Sequence, residues 1–204
     1  MRTAVLLAAL ALPAAAGAQA PDRTGVDRTG VALGLRALSA GVGAENPNVR
    51  FQDGVGSEGG LGVELSVAYG FTPTLAAFVA LGGADVEGDD PGVLGGYGYG
   101  LGVADLGLRL NARPSARVNP YATAALTGLA AASDGEDGPE AAGGGLSLGA
   151  GVDVALARSL LLDLGLGLTG GEFSDFAGSR SHLDGDEPFG AAVARIGLGL
   201  RYAP

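Results

Sequence analysis

Few side chains in this sequence could do covalent chemistry. Its 204 residues include one histidine, no cysteine and no lysine. Without thiols there is no disulfide framework, no thiolate metal site, no thiol nucleophile and no lipid attached through cysteine. The histidine, His182, stands near Ser179, Ser181 and Asp184, the residue types of a base, a nucleophile and an orienting acid. Such a set works only when its members touch, and closeness along a loop does not supply that. The expectation is no catalytic residue and no enzyme. Two stretches, Gly54 to Gly59 and Gly165 to Gly170, fit the G-x-G-x-x-G spacing that cradles a pyrophosphate. Neither opens a helical pattern, which that chemistry requires, and with 39 glycines such matches arise by chance. No cofactor site is expected.

Three acidic clusters, Asp85 to Asp90, Asp134 to Glu140 and Asp184 to Glu187, offer oxygen ligands of the kind that Ca²⁺ and Mg²⁺ take. None has the spacing of a calcium-binding loop. No defined metal site is assigned, and divalent cations enter only as partners of acidic loops. The net charge of −10 argues against a nucleic-acid partner, whose phosphates need a basic surface.

Another set of charges stands singly inside apolar, glycine-rich stretches: Arg36, Glu64, Asp105, Arg109, Asp153, Asp163, Arg195 and Arg201. The surrounding pattern has period two, the mark of strands with two unlike faces. Leu61, Val63, Leu65, Val67, Tyr69 and Phe71 alternate with Gly62, Glu64, Ser66, Ala68 and Gly70. The same alternation runs through Val31 to Arg36, Leu75 to Leu81, Asp105 to Leu110, Leu146 to Leu156, Leu160 to Thr169 and Arg195 to Tyr202. The alanine-rich segment Tyr121 to Ala132 fits either a strand or a helix; taken as a strand it makes eight. Between Tyr99 and Leu108 the apolar parity changes, which a bulge near Val103 to Asp105 would explain. Phe78 falls on the small-residue face and is expected to fill space among glycines.

The links alternate in length. Thr72 to Thr74, Asn111 to Val118 and Ala157 to Ser159 are short. Gly41 to Gly60, Ala84 to Gly96, Ser133 to Gly144 and Gly170 to Pro188 are long. The long links hold 16 acids and two arginines, while the short ones hold Arg113, Arg117 and Arg158. One trimmed end and one end with large loops is the asymmetry of a transmembrane barrel. In a soluble barrel the leucines would form the core and a face of glycine and alanine would meet water, a poor composition for a solvated strand. In lipid the leucines face acyl chains, and the small and charged face fills the narrow lumen of eight strands. The eight charges named above then form a lumen network, four arginines against four carboxylates, because an unpaired buried charge is costly. Strand order makes Arg195 or Arg201 with Asp163 the favoured pair. In this assignment Leu148→Arg or Leu164→Arg is costly, whereas Gly149→Ser or Gly165→Ser is mild. Tyr69, Phe71, Tyr121 and Tyr202 at the trimmed end, and Tyr97, Tyr99 and Phe189 at the loop end, stand where interfacial girdles belong.

Met1 to Ala20 has the positive start, apolar centre and small-residue end of a secretory signal. The expected organisation is a signal peptide at 1–18, a short N-terminal segment at 19–28 and a barrel at 29–204. Together with Leu61 to Phe71, Gly145 to Val154 and Arg195 to Tyr202, this pattern resembles the small outer-membrane β-barrel family of the OmpA/OmpX-like type. The resemblance covers roughly residues 29 to 202. It implies an all-β fold, an eight-stranded antiparallel up-and-down transmembrane β-barrel, with long loops outside the cell and both termini in the periplasm. It implies the outer-membrane bilayer as partner, and the assembly machinery, which reads a terminal aromatic; here Tyr202 matches, followed by Ala203 and Pro204. Some members of the family are enzymes, but the His-x-Ser arrangement of the deacylase type is absent from His182-Leu183-Asp184. The expected function is a non-enzymatic structural or surface-interaction barrel with a filled lumen. The alternatives are a narrow, porin-like channel for small or hydrophobic solutes and, third, a soluble secreted barrel.

Overall fold

The computed structural model describes residues 28–45, 58–87, 98–133, 140–177 and 189–204. They form eight strands: β1 (Gly30–Glu45), β2 (Glu58–Gly70), β3 (Leu75–Val86), β4 (Tyr99–Asn111), β5 (Val118–Ser133), β6 (Glu140–Ala155), β7 (Leu160–Ala177) and β8 (Phe189–Tyr202). Each pairs antiparallel with its sequence neighbours, and β8 pairs with β1 from Leu33↔Tyr202 to Glu45↔Gly190, closing the barrel. Closure leaves no unpaired edge. Among the described residues no helix is long and apolar enough to cross a membrane, which says nothing of a barrel that crosses with strands.

The alanine-rich segment that fitted either element is strand β5. Alanine is the best intrinsic helix former, but tertiary context outweighs propensity, which yields here to hydrogen-bonded neighbours on both edges, β4 and β6. Three short links hold the turn end. Leu75 donates to Thr72 Oγ1 (3.0 Å) in the first, Arg113 N to Asn119 Oδ1 (2.9 Å) in the second, and Leu156 N to Leu160 O (2.9 Å) in the third. At the loop end the strands run further than their alternation predicts, taking in Gly41–Glu45, Glu140–Gly144 and Gly170–Ala177. Glycine pairs through its backbone while erasing the side-chain alternation, so these stretches read as loop. The link at 134–139 is consequently no longer than the turn at 112–117, and the alternation of long and short is not strict. His182, Tyr97 and most of the acidic clusters lie outside the described residues.

No bulge occurs near Val103 to Asp105; β4 keeps an unbroken register with β3 and β5. What changes there is the polarity of the lumen, not the phase of the strand. Tyr99, Leu101 and Val103 face inward with Asp105 and Arg109, while Leu106, Leu108 and Leu110 face outward. The register shift lies between β6 and β7 at Ala142/Gly143, where Ser174 is the extra residue.

Two aromatic assignments change for the same reason. Tyr99 and Tyr121 are buried inside the barrel rather than placed in girdles. Tyr69, Phe71 and Tyr202 remain exposed at the turn end, the first two in edge-to-face contact with centroids 5.4 Å apart. Around the outside runs a belt of leucine, valine and isoleucine, with Leu61 75% and Leu148 68% exposed. From Tyr69 to Leu61 the belt rises about 20 Å for strands tilted as in small barrels. Above it the outward positions turn small or acidic, as at Gly102, Gly128, Ala130, Ala192 and Glu172.

Candidate functional site: the lumen

The inward face is divided along the barrel axis. Toward the loop end it is apolar: Leu38, Val42, Val86, Tyr99, Leu101, Val103, Leu129, Phe173 and Val193 form one buried cluster. Toward the turn end it is polar and charged. Both layers are built mainly on strands that pair on either side in the closed sheet, so register fixes their positions.

All eight charges that the alternation places on the inner face do point inward, and each lies within ion-pair reach of another. Arg195 NH1 meets Asp105 Oδ2 at 2.8 Å and Glu64 Oε2 at 3.7 Å. Arg36 spans from Glu64 (3.4 Å) to Asp163 (2.9 Å). Arg109 reaches Asp163 at 3.3 Å and also contacts Asp153, with its guanidinium 3.4 Å over the Tyr121 ring. Tyr121 donates to Asp163 Oδ1 at 3.1 Å. Arg201 faces Asp153 at 3.6 Å. Neither Arg195 nor Arg201 pairs with Asp163, contrary to the expectation from strand order. The residue opposite Asp163 on β8 is Gly199; Arg195 lies four residues nearer the loop end, opposite Gly167, and reaches across the lumen instead. Asp163 is taken by Arg36 and Arg109.

Hydroxyls complete the upper part of the polar layer. Thr127 donates to Asp105 Oδ1 (2.6 Å), Thr127 and Ser147 share a hydrogen bond of 2.6 Å, and Ser147 and Thr169 share one of 2.5 Å. Arg195 NH2 donates to Ser147 (3.2 Å) and Thr169 (3.3 Å). At the turn end Asn119 Nδ2 donates to Asn111 Oδ1 (3.0 Å), and Asn111 Nδ2 to the Pro73 carbonyl (3.0 Å).

Two charged members of the lumen, Arg28 and Glu58, are invisible to the alternation argument, whereas Phe78 faces inward as that argument expects. Arg28, just before β1, is buried: it donates to the carbonyls of Pro114 and Ala116 in the β4–β5 turn and lies 3.9 Å from Asp153. Burial, the largest influence, lowers the Arg28 pKa below its ordinary value; Asp153 opposes this and Arg109 reinforces it. The close approach of this segment needs Gly70, where a Cβ would fall 2.0 Å from the Arg28 carbonyl oxygen. Glu58, assigned by sequence to a loop, is buried among the apolar residues and accepts the Tyr99 hydroxyl at 2.6 Å. Phe78 faces inward between Ala68 and Gly107, filling space beside small residues. Among the described residues the polar layer, with Arg28, holds five arginines and four carboxylates.

Inward glycines make room for this network. A Cβ at Gly165 would lie 2.6 Å from the Tyr121 hydroxyl, and one at Gly149 would lie 2.4 Å from Thr123 Oγ1 and 2.9 Å from the Leu166 carbonyl. The expectation that serine is mild there is therefore overturned: the lumen is polar at that height, but the place each side chain would take is held by Tyr121 or Thr123. Among the described residues no group of three acids or histidines is arranged to hold a metal.

No protein-family model and no curated protein matches the sequence. Solved structures do match in shape. Neisserial surface protein A is 17% identical, with 85% of this chain and 99% of that chain covered at a TM-score of 0.61. Outer membrane protein AlkL, determined in lipid bilayers, is 17% identical over 85% of this chain and 90% of that one, at 0.56. Outer membrane protein OprG from Pseudomonas aeruginosa is 13% identical over 88% and 99%, at 0.51. The fold is that of the small eight-stranded outer-membrane barrels, closed and entirely antiparallel.

Proposed function

We propose that the chain is an integral outer-membrane β-barrel protein without enzymatic activity, acting structurally or by surface interaction through its loop end. One observation carries this reading: the barrel is inside-out. Its widest apolar surface faces outward, and paired charged and hydroxyl side chains project into its lumen. A soluble barrel exposing Leu61, Leu65, Leu81, Leu126, Leu146 and Leu148 in one continuous belt would far exceed the apolar patch that water-soluble monomers tolerate. A bilayer removes that cost and requires the closed hydrogen bonding seen here. The apolar cluster at the loop end, built around Leu101, Phe173 and Val193, stands against the alternative of a narrow channel, since it lines that part of the lumen largely with apolar side chains.

Two measurements test the reading. Fractionation of the native cell is expected to place the chain in outer membranes, soluble only with detergent; recovery as a soluble secreted protein overturns it. Planar bilayers containing the refolded barrel are expected to show no discrete single-channel conductance. Steady unitary currents would establish the channel reading instead. Tyr202, exposed at the end of β8, is the aromatic that the assembly machinery would read. Divalent cations would bridge acidic loops and anionic headgroups at the outer face.

A further inference from the structure

The polar layer carries Arg28, Arg36, Arg109, Arg195 and Arg201 against Glu64, Asp105, Asp153 and Asp163. Five against four leaves one positive charge in excess among the described residues. Glu58 does not offset it locally, because it sits in the apolar layer bound to Tyr99. An excess charge held out of water is costly.

The excess has a place. Asp153 is shared by three guanidinium groups, those of Arg28, Arg109 and Arg201. Arg28 Nε, Arg201 NH1 and Asp153 Oδ1 each lack a hydrogen-bond partner, but Arg28 still donates to two turn carbonyls, whereas the Arg201 side chain, 8% exposed, holds its NH1 3.6 Å from the carboxylate. Arg201 lines an internal cavity of about 70 Å³. The register sets Arg201 opposite Gly34, and Gly34 opposite Ser66, a row across β8, β1 and β2 whose three members all line that cavity. Gly34 contributes no side chain, and the Ser66 hydroxyl leans over it, 2.4 Å from where a Cβ would fall, toward the side of the row that Arg201 closes.

A water needs about 10–15 Å³ of such space, so the cavity has room for an ion of chloride's size together with several waters. Water would satisfy the orphaned N–H and leave the charge untouched. A monovalent anion answers both. The geometry points to a monovalent inorganic anion, chloride under ordinary conditions, bound inside the barrel at Arg201, with the Ser66 hydroxyl as a second donor. The site depends on the closed barrel and not on the surface role proposed above.

The test uses the chain refolded in uncharged detergent micelles. Thermal unfolding is compared in sodium chloride, sodium bromide and sodium gluconate at one ionic strength, so that screening is constant while the small anion is exchanged for one too large for the cavity. Halide is expected to raise the midpoint saturably, on the order of 5 °C once its concentration passes a hundredfold above its dissociation constant. Chloride-35 NMR is expected to show line broadening that bromide reverses. Arg201→Met brings the layer to four against four and is expected to abolish both effects, although the exposed Arg117 and Arg158 remain. Should that variant not fold, Arg28→Met removes the same charge without touching the cavity wall and is expected to weaken halide binding at least tenfold. Equal midpoints in halide and gluconate with no broadening overturn the proposal. So does halide dependence that survives in whichever variant folds.

Discussion

Asp153 and Arg201 illustrate how unequal two partners of one ion pair can be. Removing Asp153 leaves five arginines facing three carboxylates, with Arg28 and Arg109 losing a shared acceptor; removing Arg201 leaves four facing four. Breaking a buried pair costs ~3–5 kcal/mol when the remaining charge is uncompensated. Asp153→Asn is therefore expected to lose about that much in urea unfolding from micelles, and Arg201→Met clearly less. A larger loss for Arg201→Met would show that the layer has no positive excess. Glycines separate in the same way. At Gly199 a Cβ would fall 2.1 Å from the Leu35 carbonyl and 2.6 Å from the Arg36 Cα, both backbone atoms of the closing strand; at Gly167 the nearest atom is 3.9 Å away. Gly199→Ala is expected to cost about 1–3 kcal/mol by overpacking. Gly167→Ala should be neutral or stabilise by up to about 1 kcal/mol, because alanine restricts the unfolded chain. Both glycines look alike in the sequence, since what separates them is how closely the neighbouring strand approaches.

Strand β4 shows what an alternation pattern carries and where it fails. From Asp105 to Asn111 the residues report their faces directly: Leu106, Leu108 and Leu110 outward, Asp105 and Arg109 inward. From Tyr99 to Ala104 the inward residues become apolar and the outward ones small, so the pattern inverts without any irregularity in the backbone. The strand itself is legible in the sequence, and so is the inward face of its two charges, Asp105 and Arg109. The apolar layer is not, because a period-two signal fixes parity and leaves inside and outside to be inferred from residue type. Arg28 and Glu58 were missed for a related reason, each standing at a strand start with too few neighbours to show a phase. The division of β4 predicts a contrast within one strand. Leu101→Ala leaves a hole in the buried cluster and is expected to cost about 2–5 kcal/mol. Leu108→Ala, 53% exposed on the belt, should cost under about 1 kcal/mol in liposomes, where acyl chains fill the space. Equal costs, measured by reversible unfolding of both variants, would mean that the belt is not bathed in lipid.

For the whole molecule, sequence pattern specified closure, strand number and which end is trimmed, but not how far the ladders continue toward the loops. The ends also differ in charge, which makes orientation testable. Among the described residues Asp85, Glu87, Glu140 and Glu172 are exposed at the loop end, and Arg113, Arg117 and Arg158 at the turn end. With the loop end outside the cell, trypsin added to intact cells can reach Arg50 and Arg180, in the links 46–57 and 178–188, while Arg117 and Arg158 sit behind the membrane. Arg113 is uninformative because Pro114 follows it and the Arg–Pro bond resists the enzyme. Mass spectrometry of the fragments is expected to show cuts after Arg50 or Arg180 in intact cells, with cuts after Arg117 and Arg158 only once the envelope is permeabilised. Chelating Mg²⁺ and Ca²⁺ should hasten the first pair of cuts without unfolding the strands, since acidic loops beside anionic headgroups repel them unless cations intervene, whereas the barrel's hydrogen bonds close on themselves. Cuts after Arg117 and Arg158 in intact cells, with Arg50 and Arg180 spared, would turn the barrel over. Collapse of the whole barrel on chelation would instead reveal a metal on which the fold depends.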